Sequence, residues 1–352
     1  MKRLTLVCGM FLLIGAVFCG CGFDSSYDST TMDYSVAEIP LEIPKGWVEG
    51  DIAANSTNIY YVAAQERFMG NDMVRAQIIS CDRDENIFNV CMEYKDVNGF
   101  YINELEATDD YLFWVITSGK NTTIECLDLI SGERMVVEEN KDYLQPILLQ
   151  SDGSYLTWYY VEDGQAYVKA YDIEQKETMT VADNVELGFP YMRVEISDGI
   201  YSYASVENNK KYIKIHDIND NSEIAKFEIN SDEEIFRIEA DAERCVYSLF
   251  SDGVIDNRIF IYDYAANETY LANDSEDAYV FSFHYMNGKI YINDHETNSI
   301  IIKDADDMSN TIVLNEEEHL FILGNKTISG DYIALDALNT EEPCIVIISY
   351  KK

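Results

Sequence analysis

The sequence predicts an all-β fold: a seven-bladed β-propeller of four-stranded antiparallel blades, closed by its N-terminal strand. Three observations predict it. An apolar-aromatic motif recurs seven times, in IYYVAA from Ile59, YLFWVIT from Tyr111, YLTWYYV from Tyr155, IYSYASV from Ile200, CVYSLF from Cys245, KIYIND from Lys289 and YIALDA from Tyr332. The copies are centred on Tyr60, Leu112, Leu156, Tyr201, Tyr247, Tyr291 and Ile333, at steps of 52, 44, 45, 46, 44 and 42 residues. Repeats of this period, each holding four short strands, are how a propeller is written in sequence. Aromatic residues are 12% of the chain, 26 of them Tyr, as half-buried strands favour.

Each copy reads as strands a, b, c and d. The motif is strand b. Tight-turn signals precede it, such as Ser151–Gly153, Ser197–Gly199 and Asn287–Gly288. Strand c follows and ends in Asp at Asp82, Asp128, Asp172, Asp217, Asp263 and Asp304. That Asp is expected to shape the c–d turn, its carboxylate accepting backbone N–H groups. Strand d is more polar and alternates, as an outer edge should. Strands b and c are nearly continuous apolar runs, the pattern of a strand covered on both faces. Ser231–Ala242 has the look of a helix start, with Ser231 and Glu234 forming a capping box, but the repeat register makes it strand a.

The seventh copy has strands a (Leu320–Leu323), b (Tyr332–Asp336) and c (Cys344–Tyr350), and no d. The extended segment Ala37–Ile43, ahead of the first strand a near Trp47–Ala53, is expected to supply it. Closure of this kind removes sheet edges that would invite aggregation. It resembles the ring-closing "Velcro" of WD-repeat and Tol-type bacterial propellers. The resemblance covers about residues 37–352 and is architectural, since the Trp-Asp dipeptide of WD repeats is absent. The first step of 52 hides an insertion, so six or eight blades stay open alternatives to seven.

The first twenty residues read as an export signal. Lys2 and Arg3 precede an uncharged apolar run from Leu4 to Phe18. Gly20 before Cys21 then resembles the lipobox of bacterial lipoproteins, in which the Cys thiol receives a diacylglycerol and becomes the new N-terminus. Phe18 stands where that family prefers Leu. The resemblance implies a signal peptide over 1–20, a lipid anchor on Cys21, a polar flexible tether over 21–36 and the propeller over 37–352, held on the extracytoplasmic face of the cell membrane. An uncleaved helical anchor and simple secretion are the other readings of the same segment. Cleavage would remove two cations and no acid, taking the formal charge from -39 to -41.

That charge excludes the basic face by which nucleic-acid-binding proteins release phosphate counterions. It favours cationic partners. The remaining cysteines, Cys81, Cys91, Cys126, Cys245 and Cys344, are odd in number and irregularly spaced, and are expected mostly as buried free thiols.

The chemistry-bearing residues are few. No phosphate loop, dinucleotide fingerprint, HExxH or G-x-S-x-G occurs. Asp82–Asn86 matches the start of a calcium loop but lacks the Gly and distal Glu, and falls on a c–d turn. His295 and His319 fall in neighbouring loops among carboxylates, a candidate divalent-metal pair. Their ordinary reading is two solvated histidines, so no cofactor is assigned. His284 lies on an inner strand, where packing is the expected role, and His216 repeats nothing. Loop aromatics are candidate partner-binding residues: Phe68 and Met69 in the first b–c loop, and Tyr143, Phe189 and Tyr191 in d–a loops. The alternative is that these rings plug the channel or pack on strand ends. The expected function is a membrane-anchored, non-catalytic propeller binding a protein, peptide or glycan at its channel mouth, on the face of the d–a and b–c loops. An extracytoplasmic hydrolase or lyase on the same scaffold is the other reading.

Overall fold

The computed structural model describes residues 34–350 apart from 67–72, 84, 96–99, 141–146, 184, 187–193, 230–233, 252–253, 274–279, 287, 295–298, 310, 316–319, 323–327, 330–331 and 339–343. Every regular element named below is a β-strand. Among the described residues no helix is long and apolar enough to cross a membrane. The segment with the capping-box signature is the strand Glu234–Ala240. Tertiary pairing overrides the local helix signal there, through Ile238↔Tyr247 and Ala240↔Cys245.

The repeats fold as read. The third, for example, runs Gln150–Ser151, Tyr155–Glu162, Gln165–Asp172 and Glu177–Ala182, and the fifth Glu234–Ala240, Arg244–Ser251, Val254–Asp263 and Glu268–Leu271. Each is a sheet in the order a-b-c-d. The described strands form six hydrogen-bonded sheets rather than seven. The difference arises in the first two repeats. Their strands share one eight-stranded sheet, joined by the single pair Met73↔Phe100. The long strand Met73–Asp82 reaches past its own partner to make that bridge.

Ring closure is observed with its strand moved three residues towards the N-terminus. Tyr34–Pro40, not Ala37–Ile43, pairs antiparallel with Cys344–Tyr350 over seven residues. Pro40 sets the limit, because a proline has no N–H with which to continue a ladder. This strand is the outermost of the final sheet, beside Cys344–Tyr350 and then Tyr332–Leu338.

The core lies between sheets. Strand b of the second and third repeats, Tyr111–Ser118 and Tyr155–Glu162, is buried for four consecutive residues from its second position. Residues of both parities are covered because each blade is sandwiched between two others. The fourth position of strand b carries Tyr61, Trp114, Trp158, Tyr203, Tyr247 and Ile292 in repeats one to six, all buried. Each apolar cluster joins neighbouring repeats: Trp114 with Ile78 and Val62, Trp158 with Phe113 and Ile124, Phe283 with Val246 and Ile261. Outer strands stay wet, as in Glu268–Leu271, which is exposed throughout. Cys81, Cys126 and Cys245 are buried free thiols and Cys91 is half-buried, while the side chain of Cys344 lies outside the described residues. Burial pushes the Cys81 thiol up to about 11 and Cys126 up to about 12, so they act as small apolar groups.

The strand-final Asp is a turn former in all six repeats that carry it. Asp128 Oδ1 accepts from the N–H groups of Ile130 (2.9 Å) and Ser131 (2.8 Å). Asp172 takes that of Gln175, Asp217 that of Asn219, Asp263 that of Ala266 and Asp304 that of Asp306. Asp82 takes that of Glu85, so this carboxylate is engaged in a hairpin; Asp84 lies outside the described residues. In five repeats the residue four places on has left-handed backbone: Asn86, Gly132, Lys176, Asn221 and Asn267. Gly and Asn suit that conformation; Lys does not. Lys176, at φ 57°, therefore carries strain that its counterparts lack. Lys176→Gly is expected to raise stability by about 0.5–1 kcal/mol in urea unfolding, whereas Gly132→Lys lowers it by about as much.

Candidate functional site

Every site residue singled out from sequence lies outside the described residues: Cys21, Phe68, Met69, Tyr143, Phe189, Tyr191, His295 and His319. The described cavity lies at the a–b turn end of the strands. It occupies about 380 Å³ among the ends of the innermost strands and the a–b turns that follow them, with Glu106, Gln150, Glu195, Glu239 and His284 in its wall.

These residues occupy one register position. The first residue of strand b pairs with the strand-final Asp in every repeat from one to six, as in Tyr111↔Asp128 and Arg244↔Asp263. Two residues on, strand b faces the same place on strand a: Ala53↔Tyr60, Glu106↔Phe113, Gln150↔Thr157, Glu239↔Val246 and His284↔Tyr291. Glu195 joins them, its carbonyl accepting from Ser202 N–H at 3.2 Å. Strand a borders the channel, so this position forms a ring about the axis. Three of its six members are glutamates that are nearly fully buried.

A buried carboxylate costs several kcal/mol unless it is bonded. Here the inner strands supply the donors. The channel-side edge of strand a has N–H groups with no further strand to pair with. Glu106 Oε1 accepts from Ser151 N–H of the next repeat (3.0 Å). Glu239 Oε2 accepts from Tyr285 N–H, the same contact three repeats further on. One layer deeper, Asp51 Oδ2 accepts from Leu105 N–H at 2.6 Å. The a–b turns link likewise: Asp109 takes Ser56 N–H and Asp152 takes Gly199 N–H. Charge-assisted bonds of this kind contribute about 1.5–3 kcal/mol each. The acids thus fasten neighbouring blades at the mouth.

Arg237 enters the ring from the strand Glu234–Ala240. Its Nε donates to Glu239 Oε1 at 2.5 Å, and its Nη2 lies 3.5 Å from Glu195 Oε1 and 3.0 Å from His284 Nδ1. His284 Nδ1 is 3.5 Å from Glu239 Oε1. Burial, reinforced by the Glu195 charge, pushes the Glu239 carboxyl up against the opposing pull of Arg237. Among the described residues no group of three or more His, Cys, Asp or Glu is placed to hold a metal ion.

His284 is buried on its inner strand, as a packing role requires, and also lines the cavity. The signal was in the sequence: Glu106, Gln150, Glu195, Glu239 and His284 follow one another at 44 or 45 residues. His216 is held at a c–d turn, its ring 5.6 Å from those of Tyr201 and Tyr203, and burial lowers its affinity for a proton.

No protein-family model matches the sequence, and no curated protein does. Solved structures do match. The β-propeller domain of the Trilobed protease from Pyrococcus furiosus has a TM-score of 0.60 at 14% identity, over 88% of this chain and 95% of that one. The fold is a β-propeller. A prolyl endopeptidase matches with a TM-score of 0.59 at 10% identity, over 85% of this chain and 46% of that one. An acylaminoacyl peptidase from Pyrococcus horikoshii matches with 0.58 at 14%, over 88% and 52%. The chain thus spans about half the length of each of these two peptidases. The Pyrococcus furiosus propeller is described as having an open Velcro topology; in this chain the terminal strands pair.

The raised carboxyl of Glu239 has a defined sign in stability. A group that holds its proton more tightly when folded supplies its full stability below its ordinary value of 4.5 and loses it as pH rises through the folded-state value. Glu239→Gln keeps the neutral form at every pH. Urea unfolding is expected to show the variant gaining on the wild type steadily between about pH 5 and pH 8.

Proposed function

We propose that this chain is a lipoprotein whose propeller acts outside the cytoplasmic membrane as a non-catalytic binding module, and that it takes a cationic group of a protein or peptide at its channel mouth. The observation that carries the reading is the acid-walled cavity, with Glu106, Glu195 and Glu239 at one register position around it. A cavity walled by one sign of charge concentrates ligands of the other sign and orients them. Amines and guanidinium groups have the donors that such carboxylates accept from. The charge of the whole chain adds long-range attraction for the same ligands.

Seven blades belong to the same proposal. A count of seven is supported by the single residue pair that joins the first two repeats and by the repeat register, which runs unbroken through both. Anchorage is supported by Lys2, Arg3, the apolar run and the Gly20-Cys21 junction. Polar residues 22–33 then separate the anchor from the first strand at Tyr34.

Two experiments test the reading. Tetralysine peptide is expected to bind the protein in calorimetry at low salt, with tetraglutamate giving no heat. Glu195→Gln is expected to weaken tetralysine about tenfold or more, the loss of one charge-assisted contact. Glu139→Gln, on the outer strand Arg134–Asn140, should leave it unchanged. Equal weakening by both variants would show attraction to the whole surface and not to the mouth. In cells, Cys21→Ser is expected to lose lipid label and leave the membrane fraction; retention of both would defeat the anchor.

A further inference from the structure

The cluster of Glu195, Arg237, Glu239 and His284 joins the inner strands of three successive repeats and contains a contact that only one protonation state permits. A guanidinium has donors and no acceptor. Arg237 Nη2, 3.0 Å from His284 Nδ1, therefore donates to it, and Nδ1 must carry a lone pair. The imidazole is neutral with its proton on Nε2. An imidazolium has protons on both nitrogens and offers Arg237 nothing but repulsion.

We propose that this cluster is a proton-operated latch at the channel mouth: neutral His284 holds Arg237 between the fourth, fifth and sixth repeats, and protonated His284 releases it and turns to Glu239. The replacement partner is already in place, 3.5 Å from Nδ1. Glu239 is also the acceptor for Tyr285 N–H, next to His284 on its strand. A shift of Glu239 towards the imidazolium therefore weakens a bond between the inner strands Glu234–Ala240 and Val280–Met286. Arg237, freed from Nδ1, keeps Glu239 through Nε and Glu195 through Nη2. The fastening lost is the one between Arg237 and the His284 imidazole of the sixth repeat.

The charged surroundings of His284 are those the switch needs. Arg237 and Glu239 face it from the strand Glu234–Ala240, and Glu195 stands beyond Arg237 ahead of Ile196–Ser197. Asp241, at the end of the fifth repeat's inner strand, accepts from the hydroxyl of adjacent Tyr285 at 2.5 Å. The hairpin partner Lys289–Asp294 carries Lys289 and Asp294 at its two ends, and the neighbouring strand Val254–Asp263 carries Arg258 and Asp263. Glu106 lines the same cavity.

Use of the latch to release a cationic partner rests on the function proposed above; the latch itself does not, and its test uses no peptide. Amide hydrogen exchange of the full chain is followed from about pH 8 to pH 5, corrected for the intrinsic pH dependence. Glu239 takes up a proton in the same window in both proteins, so the readout is the ratio of wild-type protection of Val280–Met286 to that of His284→Gln, which is expected to fall on acidification by up to about tenfold per pH unit for one linked proton. In His284→Gln the amide oxygen accepts from Arg237 at every pH, and only the Glu239 step remains. Parallel curves for the two proteins would overturn the latch. Imidazole nitrogen NMR of the wild type is a second check that needs no variant. It should show an Nε2–H tautomer for His284 at pH 8, and an Nδ1–H tautomer there would also overturn the proposal.

Discussion

Burial of both faces of each blade governs this molecule. Four short strands cannot cover their own middle pair, and Trp114 or Trp158 in an isolated blade would stand in water. Stacking blade against blade hides those rings, and each cluster draws on neighbouring repeats. The arrangement is only satisfied when it has no end, because a terminal blade would present one apolar face and one open edge. The pairing of Tyr34–Pro40 with Cys344–Tyr350 follows from that requirement.

The same geometry creates the mouth. Radial stacking turns one edge of every innermost strand towards the axis, where no further strand fits. Those edges display N–H groups, and Glu106, Glu239 and Asp51 answer them. An acidic lining is thus first a structural solution. It becomes chemically useful because a buried carboxylate between two blades also presents charge to a cavity. Arg237 and His284 are the departures from this scheme, and they occur side by side. Where repeats differ at a position the fold treats as equivalent, the difference is the natural place to look for function.

Much of the architecture was legible because a repeat multiplies weak signals. No single copy of the motif identifies a propeller strand, but seven copies at nearly constant spacing do. The strand-final Asp was read correctly as a turn former because Asp in front of a hairpin has a definite local partner, its own backbone. The closing strand was misplaced by three residues, since Tyr34–Val36 look like the polar stretch before them and only Pro40 marks where pairing must stop. The merger of the first two repeats into one sheet was unreadable for another reason: it hangs on one pair at the end of a long strand. The channel residues were missed although their 44- or 45-residue spacing is plain. Strand a was read for its apolar residues, and Glu106, Glu195 and Glu239 were lost among 64 acids. Only the register that sets them opposite Phe113, Ser202 and Val246 distinguishes them from solvated side chains.

The closing strand also orders events in time. Tyr34–Pro40 is synthesised ahead of every residue that separates it from its partner Cys344–Tyr350. Until that partner is made the early segment must wait, with its ladder groups open, while everything between them folds. Such long-range pairing is slow to form. The growing chain therefore passes through a stage with two complementary loose ends, which can join each other or those of a second molecule. Whatever handles this chain during its maturation has to keep those ends apart from strangers and within reach of one another.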